Sequence, residues 1–283
     1  MKKPYMYAFA DEACSQMEGQ IAALRRNGLD GLEIRGVNGQ NITQISIADA
    51  KEVRKQLDDE GLITWSIGSP IGKISINDDF EAHKETYRHT LEIANILGAA
   101  NLRLFSFYIP TDKQACDCRS KVIDRMGELL NIGRNSGIEL CHENEKGIYG
   151  DIADRCLDLH QTFPALKGVF DPANFVQCGE DTLRGWSVLK PYTHYLHIKD
   201  ALPDGSVVPA GKGCGNVPYI VRDFLNSGGT ALTIEPHLTV FDGLKELERS
   251  GETSSVGERY VYPDANAAFD AACDALKELL RKG

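Results

Sequence analysis

Four ionisable residues interrupt otherwise apolar runs in the second half of this sequence. They are Glu143 in Ile138-Glu-Leu-Cys-His-Glu-Asn144, Asp171 in Gly168-Val-Phe-Asp-Pro172, His197 in Tyr195-Leu-His-Ile-Lys199, and Glu235 in Leu232-Thr-Ile-Glu-Pro236. An ionised side chain without a partner in a dry interior is strongly unfavourable or shifts to its neutral form. One such residue can be a satisfied structural group; four in succession point to a shared site. Three carboxylates gathered there need a cation to coexist, and a divalent metal ion accepts both oxygen and imidazole ligands. The imidazole favours Mn²⁺ or Zn²⁺, with Mg²⁺ and Co²⁺ as the alternatives.

Such a site needs a scaffold that brings distant segments together. The sequence alternates short β-type runs with longer amphipathic stretches, the pattern of βαβ units and a parallel sheet. Eight runs are read: Tyr5–Glu12, Gly31–Arg35, Leu62–Gly68, Asn101–Tyr108, Gly137–Glu145, Lys167–Asn174, Thr193–Asp200 and Thr230–His237. The 283 residues divide into units of about 35, close to the roughly 30 that strand, loop, helix and return require. The expected fold is an α/β (β/α)8 TIM barrel spanning residues 1–283 as one domain, with an extra C-terminal helix. Barrel active sites are built at the C-terminal strand ends, where Glu143, Asp171, His197 and Glu235 stand in the fifth to eighth runs. A doubly wound open sheet is the alternative, but Ala10-Asp-Glu-Ala-Cys14 lacks the Gly-rich turn that fold carries after its first strand.

The helices carry their own punctuation. Ser15-Gln-Met-Glu18 has the form of a capping box for a helix running to Asn27-Gly28. Ser46 precedes an apolar stripe of Ile47, Ala50, Val53 and Leu57 that ends before Gly61. Asp78 opens a long helix closed by Gly98, and Val122, Met126, Leu129 and Leu130 mark the next. Asp151–His160, Asp181–Leu189 and Pro218–Asn226 supply three more, with Pro218 suited to a first turn. A Gly/Ser-containing stretch, Ser250–Gly257, leads to a final helix, Asp264–Arg281.

Composition narrows the function. A net charge of −10 repels nucleic acid and anionic membranes. No apolar run approaches the roughly 20 residues that span a bilayer. The start, Met1-Lys-Lys-Pro4, imitates a signal peptide's basic region, but its apolar follow-on stops at Asp11-Glu12, as expected of a first strand in a cytoplasmic protein. The eight cysteines are scattered without redox or zinc spacing, and reduced thiols are expected. A homo-oligomer is compatible with all of this.

Two glycine-rich segments imitate phosphate loops. Gly68-Ser-Pro-Ile-Gly-Lys73 has three residues between its glycines where a P-loop has four, and Ile74 replaces the hydroxyl residue. Gly211-Lys-Gly-Cys-Gly215 lacks dinucleotide spacing. It follows the seventh run, however, where barrels often hold phosphate, so Lys212 is a candidate substrate contact, with a plain tight turn as the simpler reading.

The chain resembles the sugar phosphate isomerase/epimerase family with a xylose-isomerase-like TIM barrel, which includes ketohexose epimerases, hydroxypyruvate isomerases and inosose dehydratases. The resemblance is sharpest in Glu143, Asp171, His197 and Glu235, whose separations of 28, 26 and 38 residues are similar to that family's metal site. Gly31-Leu-Glu-Ile-Arg35 and Ser69-Pro-Ile-Gly-Lys73 look like its second and third strand ends. The resemblance implies that Glu143 and Glu235 are both metal ligands and the acid/base pair, acting on a small sugar or polyol. Proton abstraction beside a carbonyl leaves an enediolate, which a metal stabilises as a Lewis acid. One base on each face gives epimerisation, return of the proton to the neighbouring carbon gives isomerisation, and loss of a β-hydroxyl gives dehydration.

Ketohexose epimerases carry a histidine three residues after the metal aspartate and an arginine six after the metal histidine; Asn174 and Pro203 stand there in this chain. Lys199 and His237 lie two residues beyond proposed ligands, on the same strand face and nearer the mouth, and with Asn174 and Glu33 they are candidate substrate contacts. Glu33 and Arg35 read equally as a mouth pair or a salt bridge. His142, of opposite parity to Glu143, is expected to face the helices in a structural role. A barrel DNA-repair nuclease is a rival reading, but it needs further histidines on early strands that this chain lacks. A non-catalytic sugar-binding barrel is a second rival, disfavoured by retention of both base carboxylates.

Overall fold

A computed structural model describes residues 3–241, 256–257 and 259–282. Eight parallel strands close into a barrel in sequential order: β1 (Tyr5–Ala8), β2 (Gly31–Ile34), β3 (Ile63–Ile67), β4 (Asn101–Leu104), β5 (Glu139–Glu143), β6 (Lys167–Phe170), β7 (Thr193–Ile198) and β8 (Ala231–Ile234), with β8 pairing β1. Gly31 lets β2 approach β3 closely, since a Cβ there would lie 1.9 Å from the Ile63 carbonyl oxygen. All eight expected runs are present. Each overshoots the strand at its C-terminal end, because polar residues there belong to the loops that build the mouth.

The helices form the outer layer: α1 (Met17–Arg26), α2 (Ile47–Asp59), α3 (Phe80–Leu97), α4 (Ala115–Gly133), α5 (Ala153–Thr162), α6 (Pro172–Gln177), α7 (Thr182–Leu189), α8 (Val217–Asn226) and the C-terminal α9 (Ala265–Lys282). Ser46 and Asp49 make a full capping box on α2. Ser15 makes none on α1: Gln16 is the N-cap, and the Met17 amide donates to Asn38 Oδ1 instead (2.9 Å). Asp79, one residue after the expected position, caps α3, while Asp78 accepts from the Ser75 amide. The short α6 was hidden in the end of the sixth run, where Asp171 is its N-cap. α9 packs Phe269, Ala272 and Leu276 into the core and holds α1 through Arg26–Asp270 at 2.8 Å. Of Ser250–Gly257, only Val256 and Gly257 are among the described residues.

Strand alternation sorts two cores. Leu32, Ile34, Leu102, Leu140, Leu196, Leu232 and Ile234 join the large core shared with the helices. Tyr7, Cys141, Val169, Tyr195 and Ala231, with Trp65 against them, form a separate small cluster. With a side-chain period of two, Cys141 precedes Glu143 on one face, Val169 precedes Asp171, and Tyr195 precedes His197. That small cluster is the packed interior beneath the mouth.

Candidate metal centre

The side chains of Glu143, Asp171, His197 and Glu235 are buried and offer one ligand atom each, all within 4.8 Å of one another. Ligands on opposite sides of one ion sit about 4.4 Å apart, so this spread is near that of a bound set. His197 Nδ1 lies 2.9 Å from Glu143 Oε1, 3.5 Å from Glu235 Oε2 and 3.9 Å from Asp171 Oδ2. Asp171 spends Oδ1 on the Asn174 amide (3.0 Å) as the α6 cap, while its buried Oδ2 makes no aligned hydrogen bond and faces the Lys199 ammonium at 2.9 Å. An oxygen stripped of water and met only by positive charge, beside three other ligand atoms, suits a cation. The residues therefore fit a divalent ion.

The surrounding charges explain how so many acids stay buried. Asp11, Glu12, Glu33, Glu143, Asp171 and Glu235 all lie near or at zero exposure, facing Arg35, Arg103 and Lys199. Arg103 Nη1 donates to Glu143 Oε2 at 3.0 Å. Lys199 Nζ reaches Glu235 Oε2 at 2.8 Å and lies 2.9 Å from Asp171 Oδ2. Burial pushes the Glu143 carboxyl up, but the charges of His197 and Arg103 outweigh it and hold it at about 2. For Asp171 burial wins: with Glu235 and Glu143 adding repulsion against Lys199's opposing pull, its carboxyl is pushed up to about 7. Burial lowers His197, yet Glu143 and Glu33 raise it well above the ordinary imidazole value.

Glu33 sits behind His197 and not at the mouth. Its Oε2 faces His197 Nε2 at 3.0 Å, and its Oε1 accepts from the Tyr195 hydroxyl at 3.0 Å. A carboxylate on the far nitrogen of a ligand histidine fixes the ring and frees the other nitrogen for the ion. Arg35 does not pair with Glu33; it binds Asp11 (2.9 Å) and Glu12 (3.0 Å) and lies between the Phe9 and Phe241 rings. Asn174 Nδ2 donates to the Asn144 carbonyl (2.9 Å) and to Glu143 Oε1 (3.2 Å). His237 Nδ1 lies 3.1 Å from Glu12 Oε1 and 3.6 Å from Glu235 Oε1. Glu12, Glu235 and His237 form a second ligand-type group, but Arg35 already serves both its carboxylates. His142 faces outward as expected, bonded to Ser106 Oγ at 2.9 Å and held neutral by burial, which pulls it down to about 3.

The sequence matches the xylose isomerase-like TIM barrel family over residues 21–252. The chain belongs to that family. No curated protein matches it by sequence. Among solved structures, the family's barrel is similar to the probable 3-DHS dehydratase AsbF of Bacillus anthracis, at 17% identity and TM-score 0.73, covering 97% of this chain and 98% of that one. It is similar to the IOLI protein with a binding zinc atom, at 14% identity and TM-score 0.72, covering 99% and 98%. A D-psicose 3-epimerase obtained in the presence of D-fructose matches at 17% identity and TM-score 0.71, covering 97% of each chain.

Within this family barrel, three charged residues of the mouth had no assigned site role in the sequence, Asp11, Glu12 and Arg103, while Arg35 was read only as a mouth pair or salt bridge with Glu33. Arg103 carried a usable signal, because Asn101 and Arg103 share one parity in an apolar strand while Leu102 and Leu104 share the other. Asp11 and Glu12 were hidden by the assumption that the first strand ran through them; a 3-10 turn, Ala10–Glu12, turns them into the mouth. The two phosphate-loop imitations have other work. Gly68 and Ser69 hold Arg103, and Lys73 pairs with Glu145 at 2.6 Å. Lys212 is exposed, and its charge acts on Glu278 of α9.

Proposed function

We propose that Glu143, Asp171, His197 and Glu235 hold one divalent ion, Mn²⁺ or Zn²⁺, in an isomerase or epimerase of a small sugar or sugar-like polyol. The observation that carries this reading is the convergence of four buried ligand atoms, one each from Glu143, Asp171, His197 and Glu235, within 4.8 Å of one another. When bound, the ion supplies Lewis-acid stabilisation of an enediolate. The chain's residues do the rest. Glu143 and Glu235 are the bases, kept ionised by neighbouring cations, and a positioned base contributes typically ~10²–10⁴-fold. Arg103 and Asn174 fix Glu143; Glu33 orients His197; Lys199 steadies Glu235 and Asp171. A second reading on the same residues is dehydration, as the barrel is similar to that of a probable 3-DHS dehydratase; the proton that one glutamate takes from carbon would pass to the departing β-hydroxyl, which leaves as water.

The test is elemental analysis of Asp171→Ala and His197→Ala beside the wild type, together with deuterium incorporation in D₂O by Glu143→Gln and Glu235→Gln. We expect about one ion per wild-type chain and none in the first two variants, which remain folded. Each glutamine variant should lose ~10²–10⁴-fold in turnover. For a two-base epimerase, each retains exchange of one epimer and not the other. Unchanged metal content in both ligand variants, or wild-type exchange in both metal-replete glutamine variants, would overturn the reading.

A further inference from the structure

Above β7 the chain forms a small hairpin, Asp200–Ala201 with Val207–Val208, and then the glycine-rich loop 211–215. The loop folds back on Asp200. The amides of Gly211 and Gly213 donate to its Oδ2 at 2.9 and 3.0 Å, and those of Gly215 and Ala201 to its Oδ1 at 2.8 and 3.0 Å. Asp200 is fully buried, and among the described residues no basic side chain pairs with it. Its charge is met by four backbone dipoles alone. Glycine is required for this approach: a Cβ on Gly213 or Gly215 would lie 2.4 or 2.7 Å from Oδ1. Successive amides converging on one point make an anion-binding nest.

We propose that loop 211–215 is an anion nest whose occupant is the chain's own Asp200, and that this carboxylate keeps phosphorylated sugars from the β7 edge of the mouth. The class of substrate then taken is the uncharged sugar or polyol. This second half rests on the function proposed above, whereas the nest rests on geometry alone. The nest adjoins the site: a Cβ on Gly215 would lie 3.0 Å from Pro172 Cβ, and Pro172 follows Asp171. It also occupies the region after the seventh strand where barrels often bind phosphate. A phosphate arriving there would find the amide donors used and a buried negative charge in place. Nor does the mouth offer a substitute, because Lys73, Arg35, Arg103 and Lys199 are each committed to carboxylates.

The experiment uses the full chain treated with chelator, so that no bound metal ion captures the probes. Inorganic phosphate is titrated into the wild type by calorimetry, and formate, the shape of the lost carboxylate, into Asp200→Ala with thermal denaturation as readout. We expect no saturable phosphate binding by the wild type. Asp200→Ala should melt below the wild type and regain melting temperature saturably with formate, which leaves the wild type unmoved. Should that variant not stay folded, its refolding yield in formate is compared with that in chloride at equal ionic strength, and a higher yield in formate is expected. Saturable phosphate binding by the wild type overturns the exclusion; a variant indifferent to formate in both melting and refolding overturns the nest. Metal content after reloading is read separately. A wild type that holds no ion refutes the proposed function and leaves the formate result standing.

Discussion

The two ends of the barrel solve the same packing problem with opposite chemistry. At the floor, Tyr7 stacks on Trp65 at 5.0 Å and 2°, and Trp65 on His194 at 5.7 Å and 19°, so aromatic faces close the barrel. At the mouth, one inward layer higher, Glu143, Asp171 and His197 stand where an apolar layer would serve stability better. Both regions contain buried polar atoms without an aligned hydrogen bond: Trp65 Nε1 in the floor, Thr233 Oγ1 one inward position below Glu235, and Asp171 Oδ2 in the mouth, which meets only the charge of Lys199 at 2.9 Å. A neutral orphan costs modestly and can be tolerated. A carboxyl that must ionise among other carboxylates is a far larger cost, and it persists where a cation compensates. The contrast teaches that the charge of the unsatisfied atom, more than its mere presence, marks the functional end.

The sharpest break of this comparison comes from pH. With the ion removed, burial pushes the Asp171 carboxyl of the folded chain up to about 7, well above the ordinary carboxylate range. A raised carboxyl stabilises the fold below the unfolded value, and that contribution is lost as pH rises through the folded one. Asp171→Asn cannot ionise and lacks the loss. Between pH 4 and 8, urea denaturation of the chelator-treated proteins should move steadily in favour of the variant, by on the order of a few kcal/mol. Parallel stability curves would mean the mouth carries no such strain.

At the floor, Trp65→Ala should cost about 3 kcal/mol, the low end for a large aromatic because Trp65 is only half-buried. Its metal content, read by elemental analysis, should stay at the wild-type level. Loss of the ion in a folded Trp65→Ala protein would show that the two ends are coupled and the division is false. The smallest effect is expected at Thr233, fully buried with a hydroxyl that bonds to nothing. Thr233→Val keeps the shape and removes the orphan, so stability should stay within about 1 kcal/mol of wild type or rise. A larger loss by denaturant titration would mean that the hydroxyl is satisfied in solution.

The sequence by itself determined the barrel and the four-residue constellation. Both are written in local pattern: apolar runs of strand length, helices punctuated by caps such as Ser46, and ionisable residues at strand ends whose parity sets the inward face. Local pattern also separated His142 from Glu143, since neighbours in a strand face opposite ways. Local pattern is ambiguous where one residue serves two elements, as with Asp171, which follows one strand directly and caps the next helix. What only the tertiary structure decided are the partnerships. Glu33 and His197 meet from 164 positions apart, Arg35 turns from its near neighbour Glu33 to Asp11 and Glu12, and Lys199 bridges Asp171 and Glu235. Asp200 finds its donors in glycines 11 to 15 residues on, although that loop's composition alone reads as a phosphate site. An ion pair or hydrogen bond is set by where side chains converge after the strands close, and the barrel's closure is a property of the whole chain.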